Sequence, residues 1–215
     1  MNRARSIVYR SLSRLFRRPD RAALERLQKG DLPLLSVALH ELGADSELIG
    51  LVGALSEQVE SASLEELQTL YHDVFEPSGG LRCPPNETSQ TPESPQEAMT
   101  KTFQLADIAG FYRAFGVEIA EGEERVDHIA AELEFLHLLA TKEAFAERQG
   151  REERAAICRD AERSFLRDHL ACWTEKLSEN LEEAASGTVY ATAGRLLRRF
   201  VEIDLSEIGP REREE

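Results

Sequence analysis

Apolar side chains recur at three- and four-residue spacing along almost the whole chain, which is the repeat of an amphipathic α-helix. Near the N-terminus, for example, Val8, Leu12 and Leu15 fall on one side of such a helix. No segment of convincing length alternates apolar and polar residues as a half-buried strand does. The pattern therefore predicts an all-α fold, a helical bundle without a sheet.

Local start and stop signals divide this pattern into separate helices. Ser63-Leu64-Glu65-Glu66 is a capping box. Pro33 suits the first turn of a helix, and Gly43 suits its C-terminal end. Gly30 is predicted to end the helix that Asp20 caps. Together these signals predict helices at 4–17, 20–29, 33–42, 46–60, 63–75, 96–115, 127–148, 152–185 (divided near Asp168) and 189–205.

One segment, 76–95, breaks the helical pattern. It contains five of the eight prolines and the pair Gly79-Gly80, a density that no helix tolerates. A structureless loop of about 20 residues inside a compact domain is usually functional or disordered. The sequence predicts a long mobile loop here and a frayed, charged tail at 211–215, within a single domain that spans 1–215.

The bulk composition is that of a globular protein with 41% hydrophobic and 31% charged residues. No run approaches the roughly 20 apolar residues of a membrane span. Arginines interrupt the N-terminal segment, so it does not resemble a signal peptide, and a cytoplasmic location is predicted. The three cysteines share no CxxC spacing, which argues against a disulfide framework and a thiolate metal site.

The net charge of −14 limits the classes of partner. Nucleic acids and anionic membrane surfaces are disfavoured, because both are bound through lysine and arginine side chains. A basic partner is favoured, mainly because the opposite charge steers the two proteins together. Solubility alone would also explain the charge.

A histidine surrounded by carboxylates is the most informative local feature. His128 lies among Glu124, Asp127, Glu132 and Glu134, at the start of a predicted helix for which Asp127 is the expected capping residue. An Asp–His pair could be an acid–base dyad, a cap that also braces the adjoining loop, or part of a binding site. No nucleophile elbow, phosphate loop or dinucleotide motif accompanies it, so the structural and binding interpretations are favoured.

Glu134-Phe135-Leu136-His137 is a Glu-x-x-His motif, which in di-metal helix bundles occurs twice. No other histidine of this chain has a glutamate three residues before it, so no metal and no other cofactor is predicted. Tyr71 and Phe75 lie four residues apart on one helical face, where they would pack in the core or frame a groove.

Several short stretches form an ordered set of motifs. One of them has the pattern Asp-His-(hydrophobic)-x-x-Glu-Leu-x-Phe. In chain order they are Leu70–Pro77, Cys83–Thr88, Ala109–Gly116, Asp127–Leu136, His169–Trp173 and Phe200–Asp204. This set resembles the TorD/DmsD/NarJ-type redox-enzyme maturation chaperones over nearly the whole chain. Two positions differ from the family pattern, since Asn86 stands where it has an aromatic residue and Val126 where it often has proline.

The resemblance implies an all-α chaperone without a prosthetic group or enzymatic activity. Such a protein would bind the catalytic-subunit precursor of a molybdopterin oxidoreductase of the dimethyl-sulfoxide-reductase class until its cofactor is inserted. It could also mask the precursor's twin-arginine signal peptide, and would act as a monomer or homodimer. A small metal-dependent or carboxylate–histidine enzyme and a plain helical adaptor remain alternatives. The client-binding residues expected from the resemblance are Tyr71, Phe75, Glu87, Asp127, His128 and Glu132.

Overall fold

The protein is an all-α bundle, as the sequence pattern predicts. The computed structural model describes residues 2–76, 83–90, 95–118 and 124–208. No β-strand occurs in these ranges, which contain one isolated β-bridge between Asn86 and His128. The α-helices are α1 (Asn2–Leu15), α2 (Arg21–Arg26), α3 (Leu32–Glu41), α4 (Ser46–Ser61), α5 (Leu64–Phe75), α6 (Pro95–Ala114), α7 (Ile129–Arg148), α8 (Glu152–Phe165), α9 (Ala171–Ala185) and α10 (Val189–Ile208).

Most of the predicted boundaries are found in the structure. The capping box is formed, because the Ser63 backbone N–H donates to Glu66 Oε2 at 2.8 Å and the Glu66 N–H donates to Ser63 Oγ at 3.2 Å. Gly43 follows α3 with φ +70°, a left-handed conformation that glycine adopts without a steric penalty. These helix ends follow from local chemistry alone, which explains why sequence signals identified them.

The predicted helix end at Gly30 is wrong. The chain continues from α2 through a π-helical turn, Leu27–Asp31, directly into α3. Arg14 of α1 donates to both carboxylate oxygens of Asp31, at 2.6 and 2.8 Å, and holds this turn in place. A second π-turn, Leu166–Leu170, joins α8 to α9 and includes the predicted division near Asp168.

Helix α7 lies at the centre of the bundle, packed against α1 and α8. Helix α10 packs against α9 and α4 and completes the same core. The contact between α9 and α10 is close, since a Cβ added to Gly194 would lie 2.9 Å from Leu181 Cδ1. None of the described helices is long and apolar enough to cross a membrane.

A buried ion-pair network ties α1 to the C-terminal helices. The Arg5 guanidinium donates to Glu162 Oε1 at 2.6 Å and to Asp204 Oδ2 at 2.8 Å, and the Tyr9 hydroxyl also donates to Asp204. All four side chains are buried. Burial raises the pKa of Glu162 to about 8 despite its contact with Arg5. This network joins residues that are more than 150 positions apart in the chain.

Candidate functional site

The segment 83–90 packs against the beginning of α7 and is ordered there. It contains a 3-10 helix, Glu87–Ser89, and most of its residues are buried. The Glu87 N–H donates to the Asp127 carbonyl at 2.9 Å, and the Ile129 N–H donates to the Pro85 carbonyl at 2.8 Å. These residues belong to the segment 76–95, for which a long mobile loop stays a prediction. The rest of that loop, 77–82 and 91–94, and the tail 211–215 lie outside the described residues.

The Asp127 carboxylate organises this segment. It is fully buried and accepts hydrogen bonds from the Thr88 hydroxyl at 2.6 Å, the Thr88 N–H at 3.2 Å and Asn86 Nδ2 at 3.2 Å. Arg125 Nε lies 3.1 Å from its Oδ1. Asn86, which departs from the family pattern, therefore contributes a donor to Asp127. Asp127 braces the loop and does not itself cap α7.

His128, the next residue, is the N-cap of α7. Its Nδ1 accepts a hydrogen bond from the Ala130 N–H at 3.1 Å, so the neutral ring carries its proton on Nε2. Burial lowers the pKa of His128 to about 4, against a partly opposing effect of the Asp127 charge. The Nε2 atom lies 3.6 Å from Glu124 Oε2. The side chain thus caps the first turn of α7.

Glu132 and Glu87 form a buried carboxyl pair one turn further along α7. Glu132 accepts a hydrogen bond from Trp173 Nε1 at 3.2 Å, while Glu87 Oε2 lies 3.2 Å from His169 Nδ1. Burial, and then the charge of Glu87, raise the pKa of Glu132 well above its usual value. A protonated Glu132 can donate to Glu87, which removes the repulsion between two buried carboxylates.

His169 continues this chain of polar side chains to the surface. Its Nε2 lies 3.1 Å from Oδ2 of the exposed Asp107. Burial acts to lower the pKa of His169, but the contacts with Glu87 and Asp107 outweigh it and raise the pKa. Sequence analysis placed His169 in a family motif, but it predicted neither His169 nor Asp107 as a site residue. Neither has a motif spacing to Glu87, and only the fold brings them together.

Tyr71 and Phe75 lie in an aromatic cluster in the core. Their ring centroids are 4.9 Å apart, and the Phe75 and Tyr190 rings are 5.0 Å apart. Phe75 also makes an edge contact with Phe16, next to Arg17 at the end of α1. All six residues expected to bind the client are buried in this structure. A client protein would therefore contact the exposed residues beside these six before it reached them.

The four carboxylates around His128 separate into two groups. Asp127 and Glu132 are buried, whereas Glu124 and Glu134 line an open groove of about 470 Å³. We call this groove the acidic groove. Tyr112 is at its base, with its hydroxyl donating to the Val126 carbonyl at 2.8 Å. Its walls include Glu118, Glu124 and Glu134 as acidic groups and Val117, Phe135 and Leu138 as apolar groups, with Arg17 at one side.

The side chains of the Glu-x-x-His motif, Glu134 and His137, contact helix α1. His137 Nδ1 lies 2.8 Å from Ser6 Oγ and 2.9 Å from the Ser6 carbonyl oxygen, and Glu134 accepts from Ser13 Oγ at 3.2 Å. Both residues therefore connect α7 to α1. In the described ranges, no three His, Cys, Asp or Glu side chains come together in an arrangement that could hold a metal ion.

The carboxyl pair makes stability depend on pH. A carboxyl group whose pKa is raised by folding stabilises the fold below its unfolded-state pKa and loses that contribution as the pH rises. This pair should therefore lower the wild-type melting temperature progressively between about pH 5 and about pH 9. Glu132→Gln should show a smaller fall, because glutamine can accept from Trp173 and donate to Glu87 without titrating.

Thermal unfolding followed by circular dichroism across this range would measure the difference. Glu57→Gln, at an exposed position of α4, is the matched control and should follow the wild type. Glu162 and His169, whose pKa values are also raised, act in the same direction, whereas His128, whose pKa is lowered to about 4, acts in the opposite direction below about pH 6.5. Glu132→Gln should keep the pH dependence that these groups contribute. Parallel pH profiles for wild type and Glu132→Gln would contradict the assignment of the shared proton.

Known proteins with similar sequences are reductase assembly chaperones. The chlorate reductase assembly chaperone of Ideonella dechloratans is 35% identical over 147 residues, which cover 67% of this chain and 72% of that protein. The selenate reductase assembly chaperone of Thauera selenatis is 33% identical with the same coverage. The perchlorate reductase assembly chaperone of Dechloromonas aromatica is 29% identical over 170 residues, covering 74% of this chain and 71% of the relative.

A solved structure has the same fold. It comes from Archaeoglobus fulgidus, from a protein assigned to redox enzyme maturation, and it matches with a TM-score of 0.55 at 18% identity. The match covers 92% of this chain and 93% of the other.

The named relatives are chaperones, which confirms the prediction that this chain is not an enzyme. The family described as "Nitrate reductase delta subunit" matches residues 41–179. This protein therefore belongs to that family of redox-enzyme maturation chaperones.

Proposed function

We propose that the protein is a cytoplasmic assembly chaperone for the catalytic subunit of a molybdopterin oxidoreductase of the dimethyl-sulfoxide-reductase class. It would hold the subunit's precursor until the cofactor has been inserted. The relatives are named as assembly chaperones of chlorate, perchlorate and selenate reductases, and these names support a reductase as the client. The structural observation that carries the proposal is the acidic groove beside the braced Asp127–His128 turn.

The chemistry of the acidic groove suits an arginine-bearing amphipathic segment. Glu124 and Glu134 could each bind a guanidinium group through two hydrogen bonds, the geometry in which carboxylates bind arginine most strongly. Phe135 and Leu138 provide an apolar surface for the side chains that follow. A twin-arginine signal peptide combines these two features, and we propose it as the segment that occupies the groove.

In this proposal the buried residues act as positioning residues. Asp127 and His128 hold the loop and Glu124 in place at the groove, while Glu87 and Glu132 fix the loop from its buried side. Phe75, with its neighbour Tyr71, supports the end of α1 from which Arg17 reaches the groove. Their substitution would change client binding through the shape of the groove.

A binding experiment with a synthetic peptide tests the groove. The peptide carries two adjacent arginines followed by an apolar run, and calorimetry measures its affinity for the purified chain. Glu124→Gln combined with Glu134→Gln should weaken binding about thirtyfold, because each lost charge pair costs on the order of 1 kcal/mol. Wild-type affinity should also fall as the salt concentration rises.

The matched control is Glu57→Gln combined with Glu60→Gln, two exposed positions on α4 with the same loss of charge. An equal weakening by the control pair would show a general effect of net charge and would reject the groove as the site. Identifying the polypeptide that co-purifies with the chain tests the client class separately. Repeated isolation of a protein other than a molybdopterin enzyme would reject that assignment.

A further inference from the structure

The opposite end of α7 carries a second pocket of the reverse charge. This pocket, of about 370 Å³, lies where α7 ends and α8 begins. We call it the basic pocket. Its lining includes Lys142, Phe145, Arg148, Arg151 and Arg154, and none of its described lining residues is acidic. Four cationic side chains around one pocket are unexpected in a chain of net charge −14.

Among the residues that the structure describes, three of these cations have no acidic partner. Among the ion pairs of the described residues, none involves Arg148, Arg151 or Arg154, although acidic side chains are close in sequence. The nearby acids Glu143 and Glu147 are paired with Arg159, at 2.6 and 3.1 Å. Lys142 has a different contact, since its Nζ donates to the Phe115 carbonyl at 2.7 Å. The three arginines therefore keep their hydrogen-bonding capacity for another molecule.

Two further features of the basic pocket bear on its ligand, one on its negative charge and the other on its apolar part. Arg151, the N-cap of α8, makes no side-chain capping hydrogen bond, while the Arg154 N–H donates to the Arg151 carbonyl at 3.0 Å. Glu152 and Glu153 do not line the basic pocket, but they line a neighbouring pocket together with Arg151 and Arg154. Phe145 is 52% exposed and Ile157 is 56% exposed. Exposed aromatic residues beside arginines are typical of protein–protein contact sites.

We propose that the basic pocket is a second docking site, which binds an acidic segment of a partner protein through its carboxylates and one apolar anchor side chain. The anchor would pack on Phe145, and the carboxylates would bind Arg148, Arg151 and Arg154. An inorganic or phosphate-bearing small ion would satisfy the arginines but would leave the exposed phenylalanine without a role. Charge complementarity and the apolar surface together favour the peptide.

The position of the basic pocket relates it to the acidic groove. Leu138 and Lys142 are one helical turn apart on the same side of α7, the first lining the groove and the second the pocket. Glu134 and Arg148 are separated by about 21 Å along the helix axis at 1.5 Å per residue. A single partner could therefore place a basic segment at one site and an acidic segment at the other. The proposal for the basic pocket goes beyond the proposed function and does not depend on which ligand fills the groove.

The test uses the full chain and a defined probe, the peptide acetyl-Asp-Glu-Phe-Leu-Glu-Asp-amide, with calorimetry as the measurement. Arg148→Glu combined with Arg154→Glu should weaken binding at least about tenfold, the size expected when central arginines of an interface are lost. Phe145→Ser should also weaken it. Arg21→Glu combined with Arg26→Glu, on exposed positions of α2, is the matched control and should change the affinity less than about twofold.

Three results would overturn the proposal. The first is no binding of the probe to the wild type, and the second is an equal loss in the α2 control. The third is a pair of observations: replacing the peptide's Phe and Leu with alanine leaves its affinity unchanged, and pyrophosphate displaces the peptide. Together they would identify a simple anion site. The twin-arginine peptide should bind Arg148→Glu/Arg154→Glu like the wild type. Failure at the basic pocket is therefore distinguishable from failure at the acidic groove.

Discussion

Replacing Asp127 with alanine is expected to destabilise the protein by about 3–5 kcal/mol and to release the segment 83–90 from α7. The substitution removes the acceptor for Asn86 Nδ2 and for both the N–H and the hydroxyl of Thr88. These donors are buried, so each would lose its partner without regaining water. For a chain of this size the melting temperature should fall by roughly 6–20 °C.

Hydrogen exchange gives the more specific measurement of this effect. The amides of Glu87 and Ile129 are bonded between the loop and the Asp127 turn, so their exchange should accelerate more than that of amides in α4. Asp73→Ala, at an exposed position of α5, is the control and should behave like the wild type. Unchanged exchange at Glu87 and Ile129 would contradict the bracing role of Asp127.

Asp127→Asn should also destabilise the protein, by less than the alanine variant does. Asparagine would replace one accepting oxygen with an NH₂ group that faces other donors, because Asn86 and Thr88 both donate to this carboxylate. Asparagine therefore cannot replace the Asp127 carboxylate without lowering the stability of the protein. Any loss of client binding in this variant must therefore be compared with its loss of stability.

Arg5→Met is expected to cost about 3–5 kcal/mol at neutral pH, the second large effect. It removes the cation that lies between Glu162 and Asp204, so that Asp204 and the ionised fraction of Glu162 lose their buried counter-charge and only the Tyr9 hydroxyl still donates to Asp204. The pKa of Glu162, which burial already raises to about 8, should rise further. Protonation relieves part of the cost, so the loss should be smaller near pH 5 than near pH 8.

Urea unfolding at pH 5 and at pH 8 would measure the loss of stability at each pH. Arg3→Met, an exposed position on the same helix that takes part in no ion pair among the described residues, is the matched control. It should lie within about 0.5 kcal/mol of the wild type at either pH. A loss in Arg5→Met that does not change between the two pH values would contradict the idea that Glu162 becomes protonated.

Sequence alone determined the features of this protein that depend on local chemistry. The capping box at Ser63 and the left-handed Gly43 end their helices by contacts or dihedral preferences within a few residues, so their positions could be predicted. The continuation through Leu27–Asp31 could not, because it depends on Arg14 from another helix. The residue types of the Asp127–His128 pair predicted a cap and a brace for the loop, but only the structure shows that His128 is the cap and Asp127 the brace.

The tertiary structure decided which acidic residues are buried and which are available to a partner. Asp127 meets Thr88 across 39 residues, and Glu87 meets His169 across 82 residues. Helical periodicity gives the relative directions of side chains on α7, but not the identity of the neighbour in each direction. With α1, α8 and the segment 83–90 packed around it, α7 buries Glu132 and leaves Glu134 exposed. That difference arises because burial is set by packing between segments distant in sequence.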